Sequence, residues 1–367
     1  IAEGRHVLVR LPTGEGKSVV FQVPALINAS YTGKLTVVVT PLRALMKDQV
    51  ENMRKKGLGL LTVDYLSGDR DPWETAEVYQ HILDGSIELL FVAPERFRVN
   101  RFRDVLARRV KMDNGLGFAV IDEAHCISQW GYEFRPDYLY AISEIKKNFL
   151  KPKSSTQLLL LSATVTKNTQ QILADVTGLS GEGESALVKC PDGYSFPIKD
   201  HLQIDPKKVN GGLYGKEWES NIEFRLPNLT EVIKKSNPEV SAVLIFVTRR
   251  AHAEYLRDRL RQEVGRSALN IEAFHAGMPS DERQRILESL DPRKNEPAVR
   301  TNVLISTKAF GMGMDIPNIH WAVHLSPPSF LEDYLQEIGR CGRDEDWLKR
   351  AGLERLVCNL LWHPGDF

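Results

Sequence analysis

From His6 onward, short and almost wholly apolar runs alternate with longer stretches whose apolar residues recur every three or four positions. The runs HVLVRL, LTVVVTP, ELLFVAP, GFAVIDEAH and QLLLLSA lack the in-out alternation of a half-exposed strand. They therefore predict strands covered on both faces, as in a parallel sheet with its crossover helices on either side. A second series, SAVLIFVT, NIEAFHA, TNVLIST and HWAVHL, is separated by RRAHAEYLRDRLRQE and SDERQRILESL, both of helical composition and spacing. The expected fold class is α/β, with parallel-sheet domains at residues 1–178 and 238–367. Residues 179–237 are rich in Gly, Pro, Lys and Asp with weak periodicity, and read as a linker with an irregular insertion.

Open α/β sheets place their ligands at the carboxyl ends of strands, so the loops that follow the apolar runs are where chemistry is sought. LPTGEGKS follows HVLV and precedes SVVFQVPALINA, the strand, loop and helix context of a phosphate-binding loop. Thr13, Gly14 and Gly16 would let main-chain amides approach the phosphates of a nucleotide. Lys17 would reach the β- and γ-phosphates, and the Ser18 hydroxyl would face Mg²⁺. Leu11 stands where the strict pattern has Gly, and a glycine-rich turn capping a helix is the plainer alternative.

After GFAVI comes Asp122-Glu123-Ala124-His125. An acidic pair at a strand end suits phosphoryl transfer: Asp122 would hold Mg²⁺, and Glu123 would orient and deprotonate the attacking water. Such pairs also cap helices. Together with the phosphate loop, the pair points to nucleotide hydrolysis.

A chain of 367 residues can bury two separate cores. Its formal net charge is zero, so any contact with a polyanion must come from local patches. One basic stretch, PERFRVNRFRDVLARRVK, reads equally as a solvated face or a phosphate contact; Lys47 is the better phosphate candidate, lying near the edge that carries the nucleotide loop. Cys126, Cys190, Cys341 and Cys358 have no CxxC spacing, which indicates neither a disulfide framework nor a zinc site, and they read as reduced thiols. No run of 18 apolar residues occurs and the N-terminus lacks the regions of a signal peptide, so the expected setting is cytoplasmic, nucleoid-associated in a bacterium, or nuclear in a eukaryote, with no membrane partner.

The stretch DEAHCISQWGYEFRPDYL, residues 122–139, resembles motif II of RecQ helicases followed by their aromatic-rich loop. The other motifs resemble that family's in order: TPLRALMKDQV, APER, LSAT, IFVTR, FHAGM, STKAFGMGMDIPNIH and DYLQEIGRCGRD. The resemblance implies two tandem RecA-like domains with the nucleotide site in the cleft between them, and an ATP-dependent 3′-to-5′ DNA helicase acting on single-stranded and tailed duplex DNA. By the same resemblance, His125, Ser162 and Thr164 couple hydrolysis to domain movement, and Asp315 belongs to the nucleotide site. Gln336, Arg340 and Arg343 fit the QxxGRxxR pattern, with Arg343 as the arginine finger. DNA contacts fall on Lys47, Gln129, Trp130, Tyr132, Phe134 and Arg135, although the alternating aromatics alone would also suit a buried strand face. The family's adenine-reading segment would precede Ile1, and of the cysteines only Cys358 lies beyond the last motif. A translocase that hydrolyses ATP without separating strands, and a nucleic-acid-binding module without turnover, are the competing readings.

Overall fold

The computed structural model describes residues 6–11, 16–41, 43–55, 62–112, 115–127, 136–150, 155–163, 165–178, 202–209, 218–236, 238, 240–264, 269–291, 299–307, 319–329, 331–342, 345–350, 352–353 and 355–366. The chain divides into two compact units, Ile1–Phe196 and Pro197–Phe367.

In the first unit the apolar runs become β1 (Val7–Arg10), β2 (Leu35–Val39), β3 (Val63–Leu66), β4 (Leu89–Val92), β5 (Leu116–Ile121) and β6 (Gln157–Ser162). They form one parallel sheet in the order β1-β6-β5-β2-β4-β3. The intervening helices are α1 (Val19–Thr32), α2 (Arg43–Lys55), α3 (Pro72–Asp84), α4 (Asn100–Val110), α5 (Pro136–Phe149) and α6 (Lys167–Thr177). Both faces of the sheet are covered, as the unbroken apolar runs require. Val38, Phe91, Val120 and Leu159 meet Phe21 and Ala25 of α1 and Met46 and Val50 of α2 on one side. Their alternates Val37, Leu90, Ala119 and Leu160 meet α3, α4, α5 and α6 on the other, through Ile82, Leu106, Ile142 and Leu173. Each such buried side chain is worth about 1.5–3 kcal/mol of transfer free energy.

The second unit repeats the plan. Its strands are β7 (Leu202–Lys208), β8 (Ala242–Phe246), β9 (Ile271–Phe274), β10 (Val303–Ser306), β11 (Ile319–His324) and β12 (Leu356–Trp362), ordered β7-β12-β11-β8-β10-β9 and all parallel. Strand for strand this is the arrangement of the first sheet. Its helices are α7 (Trp218–Lys235), α8 (Arg250–Val264), α9 (Ser280–Ser289), α10 (Leu331–Ile338) and α11 (Glu345–Arg350).

The linker expected at 179–237 is corrected here, because its second half belongs to this unit. β7 pairs with β12 along its length, and Ile222, Leu226, Leu229 and Ile233 of α7 sit in the core against Val243 and Ile245. β7 is an edge strand, which is where a sheet tolerates Pro206.

The basic stretch that ends in α4 is largely engaged within the fold. Arg98 pairs with Asp137, Arg103 bonds the Tyr140 hydroxyl, and Arg101 lies over the Tyr79 ring. Arg109 is fully buried and donates to the Gly33 carbonyl at 2.8 Å. Among the described residues no helix is long and apolar enough to cross a membrane.

Candidate functional site

The carboxyl ends of β1, β2, β5 and β6 lie side by side, since β1 neighbours β6, β6 neighbours β5, and β5 neighbours β2. Main-chain bonds continue the ladder past the strand ends: Leu11 N–H donates to the Ser162 carbonyl at 3.2 Å and Asp122 N–H to the Val39 carbonyl at 2.9 Å. Short polar side chains just beyond the strands are thereby brought to one edge.

From β1 the chain enters α1 through Gly16, whose φ of +76° is a left-handed conformation that favours glycine. Lys17 follows, and Ser18 is the N-cap of α1 with helical backbone angles and no side-chain capping bond, so its hydroxyl is not spent on the helix. The first turn of α1 carries no acid, which leaves its electropositive end uncompensated, as an anion site requires. Thr13 and Gly14 lie outside the described residues.

From β5 come Asp122 and Glu123. Thr40, one residue past β2, donates its hydroxyl to Asp122 Oδ2 at 3.4 Å, and Glu123 N–H donates to Asp122 Oδ1 at 2.9 Å. Burial pushes the Asp122 carboxyl up to about 6; the neighbouring Glu123 charge adds to the rise and Lys17 opposes it. Glu123 has φ +47°, rare for a residue with a side chain and of a kind that clusters at functional sites. Its Oε1 lies 3.3 Å from Lys17 Nζ and its Oε2 3.4 Å from His125 Nδ1. His125, buried in the short helical turn Ala124–Ile127, has the same nitrogen 2.9 Å from the Ser162 hydroxyl at the end of β6.

Lys17, Asp122, Glu123, His125 and Ser162 thus form one connected set, and Thr40 joins it. Thr164 lies outside the described residues. The sequence reading also passed over Tyr138 of α5, fully buried, whose hydroxyl donates to the Asp122 carbonyl at 3.1 Å. A polar strand-end residue was a signal for Thr40; nothing in the pattern marked Tyr138, whose partner is main chain.

In the second unit, Gln336 of α10 and Arg340 in the turn after it are both buried. In the same helix Glu337 Oε2 lies 2.8 Å from His324 Nε2 of β11, and the His324 ring stacks on Phe246. Gly342 takes φ +69°, and a Cβ there would meet Leu356 Cδ1 at 2.3 Å, so glycine is strongly favoured at this position. Arg343 and Asp315 lie outside the described residues. So do Gln129, Trp130, Tyr132, Phe134 and Arg135; of the DNA candidates only Lys47 is described, exposed in the second turn of α2.

Comparison with known proteins follows the same division. The DEAD/DEAH box helicase family matches residues 1–172, and the helicase conserved C-terminal domain matches residues 225–345. RecQ-like DNA helicase blm-1 of Caenorhabditis elegans is 32% identical over 349 residues, covering 93% of this chain and 31% of its own length. ATP-dependent DNA helicase Q-like 5 of Arabidopsis thaliana is 29% identical over 346 residues, 94% of this chain and 33% of the relative. The chain therefore spans about a third of the length of these relatives. Among solved structures, DEAD-box helicase Mss116 bound to ssRNA and UDP-BeF superposes with a TM-score of 0.71 at 21% identity, over 98% of this chain and 67% of that one, a likeness of fold. Helicase family models match within each unit and RecQ-type relatives align over more than nine-tenths of its length, so the chain is similar to RecQ-type DEAD/DEAH-box helicases throughout.

Proposed function

We propose that this chain is the motor core of an ATP-dependent DNA helicase that couples hydrolysis to 3′-to-5′ translocation on single-stranded DNA and to unwinding of tailed duplexes. The observation that carries the reading is the connected set of Lys17, Thr40, Asp122, Glu123, His125 and Ser162 at one sheet edge. Lys17 and the amides at the start of α1 bind the triphosphate. Glu123 then takes the proton of the attacking water at a carboxylate oxygen, while the His125–Ser162 bond passes the state of the acid pair to the end of β6.

The donor set fits a Mg²⁺ ion. The Ser18 hydroxyl and the Asp122 carboxylate are hard oxygen donors, and the two acids carry more negative charge than Lys17 offsets. When bound, that ion would neutralise charge on the phosphate oxygens. Gln336, Arg340, Arg343 and Asp315, which match the family's motifs in the second unit, would take part in nucleotide turnover. DNA would run over Lys47 and the aromatic-rich loop of Gln129, Trp130, Tyr132, Phe134 and Arg135, where base stacking is worth about 1–3 kcal/mol per base. A RecQ-type motor of this kind would serve DNA repair and recombination in a cytoplasmic or nuclear setting.

ATPase measured with and without single-stranded DNA tests the reading, followed by strand displacement on a duplex with a 3′ tail and one with a 5′ tail. DNA-stimulated turnover with displacement only from the 3′-tailed duplex is expected. Stimulated turnover with no displacement would instead identify a translocase, and absence of turnover a binding module.

A further inference from the structure

We propose that Tyr138 is a positioning residue for Glu123, acting through the peptide that joins Asp122 to Glu123. The inference rests on the hydrolytic role given to Glu123 above. That peptide is a rigid plane held at both ends. Its N–H donates to Asp122 Oδ1 at 2.9 Å and its carbonyl accepts from the Tyr138 hydroxyl at 3.1 Å.

The orientation of this plane is what gives Glu123 its φ of +47°. Turning the plane into the ordinary range of φ would carry the Asp122 carbonyl away from the Tyr138 hydroxyl and swing the Glu123 side chain to a new direction. The present direction places the two carboxylate oxygens 3.3 Å from Lys17 Nζ and 3.4 Å from His125 Nδ1. A backbone conformation that glutamate rarely adopts persists only where its surroundings hold it.

Tyr138 is well placed to do so. Its side chain is fully buried, α5 packs into the core through Ala141, Ile142 and Ile145, and the first turn of α5 is further tied by Arg98 to Asp137. The hydroxyl is thus a fixed point delivered by a rigid helix. A buried tyrosine often merely satisfies its polar tip. The difference here is the group it meets, the carbonyl one bond from the strained residue that carries the chemistry.

The test is Tyr138→Phe in the whole chain, which removes one hydroxyl and leaves the ring in place. DNA-stimulated kcat should fall about tenfold while KM-independent binding of a fluorescent ATP analogue stays within about twofold. The Tm should stay within about 5 °C of the parent. In a Glu123→Gln background the same change should leave the residual single-turnover rate unaltered, because the positioned carboxylate is already gone. A kcat within about twofold of the parent, an additive loss in the Glu123→Gln background, or kcat, affinity and Tm collapsing together would each overturn the proposal. If the unsubstituted chain shows no DNA-stimulated turnover, the functional reading itself has failed and this inference with it, an outcome visible before any variant is made.

Discussion

Lys17 Nζ lies 3.3 Å from Glu123 Oε1, which pairs the cation proposed for the phosphates with the acid proposed for the water. Both side chains are nearly buried, at 13% and 12% exposed, which makes their partnership less screened than a surface ion pair. On the proposed roles, a phosphate group that recruits the ammonium would compete with this contact.

Two substitutions at this pair are expected to diverge. Lys17→Ala removes a phosphate contact and should abolish both tight ATP binding and turnover. Glu123→Gln should abolish turnover while leaving ATP affinity equal to the parent or tighter, because an amide competes less well than a carboxylate for the ammonium. Titration with a fluorescent ATP analogue beside a turnover assay checks this, and parent-rate hydrolysis by Glu123→Gln would remove the assignment of the base.

The second expectation concerns the His125 to Ser162 bond at 2.9 Å, which ties the turn after β5 to the end of β6. Ser162→Ala removes the hydroxyl at a cost of about 1 kcal/mol in stability. If the bond relays the hydrolytic state, strand displacement should fall about tenfold while DNA-stimulated ATPase changes less than about threefold. Equal losses in the two assays would mean that Ser162 serves only the fold.

Much of this site is legible in the sequence, and the remainder is hidden for identifiable reasons. Lys17, Asp122 and Glu123 stand in short local patterns after apolar strands, so spacing alone locates them. Thr40 is less visible, because threonine is also an ordinary strand residue and its partner lies 82 positions away. The mate of Tyr138 is a carbonyl, which leaves no trace in side-chain patterns.

The β7 segment LQIDPKK carries Pro and charges because it is an edge strand, so it lacks the apolar run that marked its neighbours. The core positions Ile222, Leu226, Leu229 and Ile233 do have helical spacing, but Pro227 and the preceding Gly-rich run obscured them. Cys341 and Cys358, without any informative spacing, meet at 4.0 Å because the turn after α10 packs on β12.

That turn supplies the third expectation. Gly342 combines φ +69° with a Cβ position 2.3 Å from Leu356 Cδ1, and its N–H donates to the Ile319 carbonyl at 2.7 Å. Gly342→Ala should destabilise the second unit by about 1–3 kcal/mol, from left-handed strain and overpacking together. Adding Leu356→Ala should relieve the contact but not the strain, so the double variant should recover part of the loss relative to the sum of the single changes. Thermal melts of the four proteins form the cycle, and strict additivity would show that the contact does not govern the turn.

The last expectation is a pH dependence centred on His320, the second residue of β11. Its side chain is 4% exposed, its Nδ1 is buried without a hydrogen-bond partner among the described residues, and burial lowers its pKa to about 4, with only a main-chain bond at Ser236 opposing the shift. An unfolded histidine titrates near about 6.5. Between those values the unfolded chain binds the proton and the folded one does not, so stability rises with pH across that window. The contribution is complete above about 6.5, falls as the pH drops toward about 4, and amounts to about 2 kcal/mol between pH 7.5 and 5. His320→Asn keeps a polar side chain but cannot take up a proton in this range. It should therefore lower stability at neutral pH yet lose about 2 kcal/mol less than the parent on acidification. Denaturant melts of both proteins at the two pH values, followed through the second unit, decide the matter; equal acid losses would place the sensitivity elsewhere.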